Sequence, residues 1–409
     1  MYYSKASSLK ALTSKAYFSM NSGEWDYLVF EDINDMEELW RSIQPYDRQL
    51  LQFDFLSALQ RTPPFHMSFL YGILLLDKKL VGCVSYQRVH FNLLDSIKKE
   101  DNPKSSLCGF FRSKIEVNLL VCGNFLSSGN NAFHFLDKNL ESEGIDALVS
   151  FSELLLERLQ KEKEPLKALF FKDLCAQDTY GGLFESKQYT SLEFQPKMLM
   201  KIDTNWQNFE DYLGSLSSKY RVRVRRARKK AEGISYVSFK KEDIFTYQDQ
   251  IWNLFNQVLK NASFNALNLQ NDFFYRMKEE MEDQYQFVAY FKEDKLVGFY
   301  TVIHGSQQLE AHYLGYDPEV NRKSQLYLNM LLDILSRGIK RKYTSINFSR
   351  TATEIKSSLG ALPVNVKSYY KHKTPLLQSF FSRFYPLVKP NLPAFKLRSP
   401  FVQTKQSTL

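Results

Sequence analysis

The chain has 409 residues, 44% of them hydrophobic and 15% aromatic, with a formal net charge of +9, enough material for two folded domains with sizeable cores. Its longest apolar run, Phe69 to Leu76, is too short to cross a bilayer as a helix, and no apolar block follows Lys5, Lys10 and Lys15 as a secretory signal requires. The four cysteines form no CxxC pair and the six histidines no HxxxH or HExxH, which argues against a zinc site and a disulfide framework, and a cytoplasmic protein with reduced thiols is expected.

Along the chain, helical patterns near Met36–Ile43 and Leu50–Gln60 precede a hairpin, "ILLLDKKLVGCVSY" at residues 73–86. The polar stretch Asp95–Ser106 reads as an exposed loop, followed by a strand at Ile115–Cys122, a helix at Ala147–Gln160 and a strand at Leu166–Phe171. Residues Ala176–Pro196, which hold Gly181-Gly182 and lack a clear period, read as a junction. The second half repeats the order. Its helices lie near Tyr247–Leu259 and Asp272–Glu282, and its hairpin, "AYFKEDKLVGFYTV" at residues 289–302, returns Lys79-Leu80-Val81-Gly82 as Lys295-Leu296-Val297-Gly298. A strand at Gln307–Gly315, a helix at Gln325–Lys340 and a strand at Ser345–Phe348 follow. A strand, helix and strand after a hairpin imply a mixed sheet with one parallel pair in each half.

Charge is concentrated in two places. Eight of the twelve residues from Lys219 to Lys230 are basic and none is acidic. After Glu354 the chain holds nine Lys or Arg and no acid. Subtracting the eight and the nine from +9 leaves −8 on the rest, so a mildly acidic body carries two basic segments suited to anionic partners. The first segment predicts a helix within 217–232, capped by Ser217 or Ser218 and ended by Gly233, with an apolar seam of Tyr220, Val224, Ala227 and Ala231. Arg221, Arg225 and Arg228 flank the seam on one side, and Lys219, Arg223, Arg226 and Lys230 on the other. A solvated surface helix is the plain alternative, but eight like charges repel one another. The favoured reading is therefore a grip on phosphates, with Lys219, Arg221 and Arg225 as the contacts. Pro386, Pro390, Pro393 and Pro400 argue against a long helix in the tail, which either wraps its own domain or touches an anionic membrane through its aromatic and basic groups.

The element order resembles the GNAT acyltransferase fold, and two copies in one chain resemble the double-GNAT FemABX-like aminoacyltransferases and related peptidoglycan-biosynthesis GNAT proteins. The stretches "YLGSLSSKYRVRVRRARKKAEGI" (Tyr212–Ile234), "INFSRTATEIKSSLGALP" (Ile346–Pro363), "LLVCGNFLSSG" (Leu119–Gly129) and "LFFKDL" (Leu169–Leu174) carry that likeness, which covers most of residues 25–373. It implies an α/β (α+β) fold of two tandem GNAT-like domains, each a mixed, mostly antiparallel sheet flanked by helices. The expected boundaries are a flexible N-terminus at 1–24, domains at 25–180 and 181–373, and a basic aromatic tail at 374–409.

The resemblance also implies acyl or aminoacyl transfer to an amine, for instance of a cell-envelope precursor, in the cytoplasm or at the inner face of the membrane. In such a fold the central strand runs beside the acyl carbonyl. In Gln307–Gly315 alternation puts Glu310 and His312 on one face and Tyr313 on the other, which makes these three the candidate catalytic residues, with backbone N–H groups holding the oxyanion. Arg350 and Lys356 follow a parallel strand, and Lys172 and Asp173 take the matching place in the first half; these four and Asn124 complete the substrate-binding candidates. No metal and no tightly bound cofactor are expected. Tyr316–Met330 contains no glycine where CoA-using GNAT proteins carry a glycine-rich pyrophosphate loop, so the donor stays open between acyl-CoA and aminoacyl-tRNA. A CoA-dependent N-acetyltransferase and a non-enzymatic binder of nucleic acid or membrane surfaces are the alternatives; specific DNA binding is not expected.

Overall fold

The computed structural model of the chain describes residues 15–92, 116–175, 180–260, 269–388 and 395–402. The loop expected at Asp95–Ser106, Cys108, and Pro390 and Pro393 of the tail lie outside the described residues. The described chain divides into two compact units: one holds residues up to Phe194 together with 269–270 and 366–388, the other 195–260, 271–365 and 395–402.

The first unit opens with strands β1 (Phe18–Ser22) and β2 (Trp25–Phe30), so the N-terminal segment expected to be flexible supplies an antiparallel edge strand. Helices α1 (Glu37–Ile43) and α2 (Phe53–Arg61) follow, then the hairpin β3 (Met67–Leu76) and β4 (Lys79–Asn92). Next come β5 (Glu116–Cys122), β6 (Phe133–Phe135), α3 (Glu141–Lys161), β7 (Ala168–Cys175), α4 (Gly181–Ser186) and β8 (Thr190–Glu193). The expected junction thus contains regular structure. β5 and β7 pair in parallel with α3 between them, and the core lies where α3 meets the sheet. There Tyr27 stacks on Phe151 at 5.0 Å, and its hydroxyl donates to that of Tyr86 at 2.7 Å. Cys83 and Cys122 are buried free thiols, and burial raises both pKa values.

The second unit holds β9 (Lys197–Lys201), α5 (Phe209–Ser215), α6 (Ser218–Lys230), β10 (Ile234–Phe239), α7 (Lys241–Thr246), α8 (Gln248–Leu259) and α9 (Phe273–Met281). The hairpin β11 (Tyr285–Lys292) and β12 (Lys295–His304) leads to β13 (Gln308–Tyr316), α10 (Pro318–Ser324), α11 (Leu326–Lys340), β14 (Ser345–Asn347), α12 (Thr353–Ser357) and β15 (Leu362–Val364). The sheet runs β10-β11-β12-β13-β14-β9-β15, with β13 and β14 parallel and the other pairs antiparallel. α11 is buried along most of its length against this sheet.

The sequence repeat is a structural one. Both hairpins turn on two left-handed residues, Asp77-Lys78 (φ 49° and 63°) and Glu293-Asp294 (φ 50° and 59°), as the right-handed twist of paired strands favours. Both also carry a bulge at the same place. The register steps from Leu74↔Gly82 to Leu75↔Leu80, and from Tyr290↔Gly298 to Phe291↔Leu296, leaving Val81 and Val297 as the extra residues.

The chain then returns to the first unit. β16 (Val366–His372) inserts between β7 and β8, and α13 (Pro375–Val388) packs on it. The boundary expected at residue 373 therefore moves back to 366, because β7 offers an open edge that β16 fills with six paired residues. The prolines do not prevent a 14-residue helix in the tail: Pro375 starts it, where no N–H is needed, and Pro386 falls in its last turn. Residues 395–402 belong to the second unit, where Phe401 lies against Trp206 and Tyr212.

Gly315 marks where α8 touches β13. A Cβ there would sit 2.7 Å from the Phe255 nitrogen and 2.8 Å from the Leu254 carbonyl carbon, both backbone atoms of a packed helix. Gly315→Ala is expected to cost about 2 kcal/mol of stability, read as a lower midpoint in chemical unfolding; an unchanged midpoint would show that α8 yields freely.

Candidate active site

β13 reads Gln-Leu-Glu-Ala-His-Tyr-Leu-Gly-Tyr. Its pairing with β12 passes from Tyr300↔Leu314 to Val302↔Ala311, so His312 and Tyr313 together face the single residue Thr301. The Thr301 hydroxyl fits this bulge: Oγ1 accepts from the Tyr313 N–H at 2.9 Å and donates to the Tyr313 carbonyl at 3.2 Å. That backbone amide is engaged and does not point at an oxyanion. The bulge also corrects the expected alternation. His312 and Tyr313 reach the same ring, Phe273, at 6.2 and 5.7 Å, and their own rings lie 4.2 Å apart.

The parallel pairing of β13 with β14 stops at Glu310↔Asn347. Beyond it β13 continues to Tyr316 while the segment after β14 turns away through Phe348, Ser349 and Arg350. A cavity of about 260 Å³ lies in this fork, lined by His312, Tyr313, Tyr327, Leu331, Arg350 and Lys356 among others. The turn that shapes its wall is held in an unusual backbone: Ser349, Thr351 and Ala352 all have positive φ, at 60°, 66° and 47°. Such conformations cost energy in residues with a Cβ and persist where surroundings impose them. Here the surroundings are polar and buried. Asn347 donates to Glu310 Oε1 at 2.9 Å and accepts from the Ser349 N–H at 3.0 Å, and Lys356 Nζ donates to the Arg350 carbonyl at 2.5 Å.

Burial sets the charge states. It raises the Glu310 carboxyl to about 8, against the pull of Lys197, the Asn347 hydrogen bond and Lys356. It lowers the Lys356 ammonium to about 7, with Glu310 opposing. Burial also pushes the His312 imidazole down to about 3, so that ring is neutral near pH 7 and a weak proton acceptor. Of the cavity-lining groups, Lys356 therefore titrates nearest neutrality. Four expected site residues, His312, Tyr313, Arg350 and Lys356, line this cavity; Glu310 does not line it, and its carboxyl is hydrogen-bonded to Asn347.

The basic helix α6 divides its cations differently from the sequence reading. Arg221 donates to the carbonyls of Leu216 at 2.9 Å and Gly214 at 3.3 Å, closing the end of α5. Arg228 pairs with Asp333 of α11 at 2.7 Å, donates to Asn329 at 3.2 Å and lies over the Phe209 ring. Both are fastened to their own unit, and Arg225 is exposed outside the cavities. The other shoulder is open. Lys219, Arg223 and Arg226 line a groove of about 580 Å³ together with Gln325 and Arg398. Gln325, left-handed at φ 53°, is the N-cap of α11, whose Tyr327, Leu331 and Ile334 line the first cavity. Groove and cavity thus share one helix within about two to three turns. Arg398 is placed by the C-terminal segment: the Pro400 carbonyl accepts from the Ser217 N–H at 2.8 Å, and the Arg398 guanidinium pairs with Glu354 at 3.0 Å.

In the first unit, Lys172 and Asp173 form a buried ion pair at 2.8 Å. Asp173 accepts from the Gly129 N–H, and its own N–H donates to Ser368 of β16 at 3.0 Å. This polar knot ties the inserted strand to β7. Asn124 accepts from the Leu126 N–H at 2.9 Å, and its Nδ2 has no partner among the described residues. Sequence reasoning missed Asn347, Thr301 and Arg398. Asn347 had a signal, a polar residue ending a buried strand; Arg398 had none.

Among the described residues no helix is long and apolar enough to cross a membrane, and no cluster of three or more His, Cys, Asp or Glu is placed to hold a metal. A search of the curated proteins finds no match. Among solved structures, FemX superposes with a TM-score of 0.53 at 10% identity, covering 88% of this chain and all of its own. A tandem GNAT protein from the clavulanic acid biosynthesis pathway gives 0.48 at 11%, covering 86% of this chain and 99% of its own. A conserved protein from Bacteroides thetaiotaomicron VPI-5482 gives 0.49 at 11%, covering 84% and 98%. At such identities the likeness to FemX speaks to the fold alone: two units, each a mixed, mostly antiparallel sheet flanked by helices. The family model for FemAB-like proteins of peptidoglycan biosynthesis and recognition matches residues 146–391, more than half of the sequence, and the chain belongs to that family.

Proposed function

We propose that the chain transfers an acyl or aminoacyl group to an amine acceptor, for which a cell-envelope precursor is the best candidate. The observation that carries this reading is the cavity at the fork of β13 and β14, with a buried lysine of near-neutral pKa on its wall. In the reaction the amine nitrogen bonds to the acyl carbonyl carbon, the bond from that carbon to the donor's sulfur or oxygen breaks, and the amine loses a proton. Neutral Lys356 takes that proton, and the ammonium so formed returns one to the leaving group, which balances the step. The Arg350 carbonyl fixes Nζ on the wall. His312 and Tyr313 shape the site and contribute polarity without serving as the base.

The donor's phosphates lie along Lys219, Arg223, Arg226 and Arg398, with the acyl end reaching the cavity past the start of α11. Both an acyl-CoA and an aminoacyl-tRNA carry such phosphates. The test is transfer of a labelled acyl group to a peptidoglycan-precursor amine, with acetyl-CoA and an aminoacyl-tRNA mixture as donors in separate reactions. Product from either donor supports the reading and identifies the donor class. No product from either, under conditions where the protein is folded, overturns it.

A further inference from the structure

Helix α13 has two faces. Its inner face is bolted to the first unit's sheet. Gln378, 5% exposed, accepts from the His372 N–H at 2.8 Å and donates to the Gln188 carbonyl at 2.9 Å and to Thr190 at 3.1 Å. Phe381, on the same face, lies 4.6 Å from the Tyr370 ring and 5.4 Å from Tyr385. The helix is therefore already docked, and its outer face is not a core stripe turned the wrong way. Yet that outer face is apolar: Leu376 is 82% exposed, Leu377 53%, Phe380 61% and Phe384 41%. Spacings of one, four and eight residues put them on one strip, and the Phe380 and Phe384 rings lie 4.3 Å apart, tilted against each other. Large apolar side chains gathered on one surface mark a contact site.

Charge selects the occupant. Arg383 falls next to Leu376 on the helix, Lys373 lies two residues before its start, and both are exposed, while Glu193 of β8 meets the helix at Tyr385 on its inner face. A second copy of the chain would bring these cations against their own counterparts across a two-fold axis, which is unfavourable without compensating acids. A bilayer with anionic headgroups meets both requirements. Its acyl boundary takes Leu376, Phe380 and Phe384, and its phosphates face Lys373 and Arg383. We propose that α13 is an interfacial helix that docks the first unit on an anionic membrane surface. The proposal is independent of the transfer reaction.

The test uses the full chain and sedimentation with vesicles of phosphatidylcholine, with and without phosphatidylglycerol. The wild type is expected to sediment with the anionic vesicles and to release as salt is raised. The triple substitution Leu376→Ser, Phe380→Ser and Phe384→Ser is expected to weaken binding about tenfold or more with an unchanged melting temperature, since the removed groups face water. Lys373→Gln with Arg383→Gln is expected to weaken binding to anionic vesicles and remove much of its salt dependence. Failure of the wild type to bind anionic vesicles, or equal binding to neutral ones, overturns the proposal. So does full binding by the triple variant. A marked fall in its melting temperature would show the strip to be packed within the protein. A wild-type dimer that the triple substitution turns into a monomer would assign the strip to self-association instead.

Discussion

Replacing Lys356 by Met is expected to lower kcat/KM for acyl transfer by about 10²- to 10⁴-fold, the usual contribution of a positioned acid–base group. The protein should remain folded with a melting temperature near wild type, because relief from burying an ammonium group offsets the loss of the donor to the Arg350 carbonyl. Lys356→Arg should not restore activity, since a guanidinium stays charged at any working pH and cannot accept the proton. In the wild type kcat/KM should rise with pH through about 7, as the Lys356 amine becomes neutral. Stability should carry the same signature with a definite sign. The Lys356 pKa is lowered on folding from 10.5, so its contribution is fully present above 10.5 and is lost as pH falls toward about 7. The Glu310 pKa is raised from 4.5, so its contribution is fully present below 4.5 and is lost as pH rises through about 8. Lys356→Met should therefore flatten the upper window and Glu310→Gln the lower one. A Lys356→Met protein retaining more than a third of wild-type transfer would remove this lysine from the chemistry.

The sequence revealed what rests on local pattern. Lys79–Gly82 and Lys295–Gly298 mark equivalent hairpins because a two-residue turn and a following bulge are properties of a few adjacent residues. The parallel pairs β5/β7 and β13/β14 follow from alternating strand and helix periods. The rest depends on partners distant in the chain. Whether His312 and Tyr313 alternate is decided by their register against Thr301, eleven and twelve residues away on another strand. Arg221 and Arg228 cannot be told from Arg223 and Arg226 by periodicity, because what separates them is Asp333 and the end of α5. The insertion of β16 between β7 and β8 is invisible to any local rule, since its partners in the sheet lie 174 to 204 residues earlier. Lys356 stands out in the sequence by its place after a parallel strand, and its near-neutral pKa comes from the burial that only the folded chain imposes.

The groove on α6 yields the second large effect. Substituting Lys219, Arg223 and Arg226 together by Gln is expected to weaken donor binding roughly 10- to 100-fold, a range discounted for the exposure of these side chains. The effect should fall on KM for the donor, with kcat much less affected, because the groove is separated along α11 from the cavity proposed for the chemistry. The fold should survive: Val224 and Ala227 still fill the seam, and Arg221 and Arg228 still hold the helix to α5 and α11. Removing like charges in fact relieves repulsion along the helix. Salt separates the two donor classes. With a nucleic-acid donor, losing three phosphate contacts should reduce the slope of log affinity against log salt by about two to three. With a CoA donor, whose few phosphates occupy part of the groove, the slope should change by about one or less. Arg221→Ala with Arg225→Ala serves as the contrast. Losing the Arg221 contacts to Leu216 and Gly214 should lower the melting temperature while donor KM stays near wild type. If instead that pair raises donor KM and the triple substitution leaves it unchanged, the phosphates lie on the opposite shoulder of the helix from the one argued here.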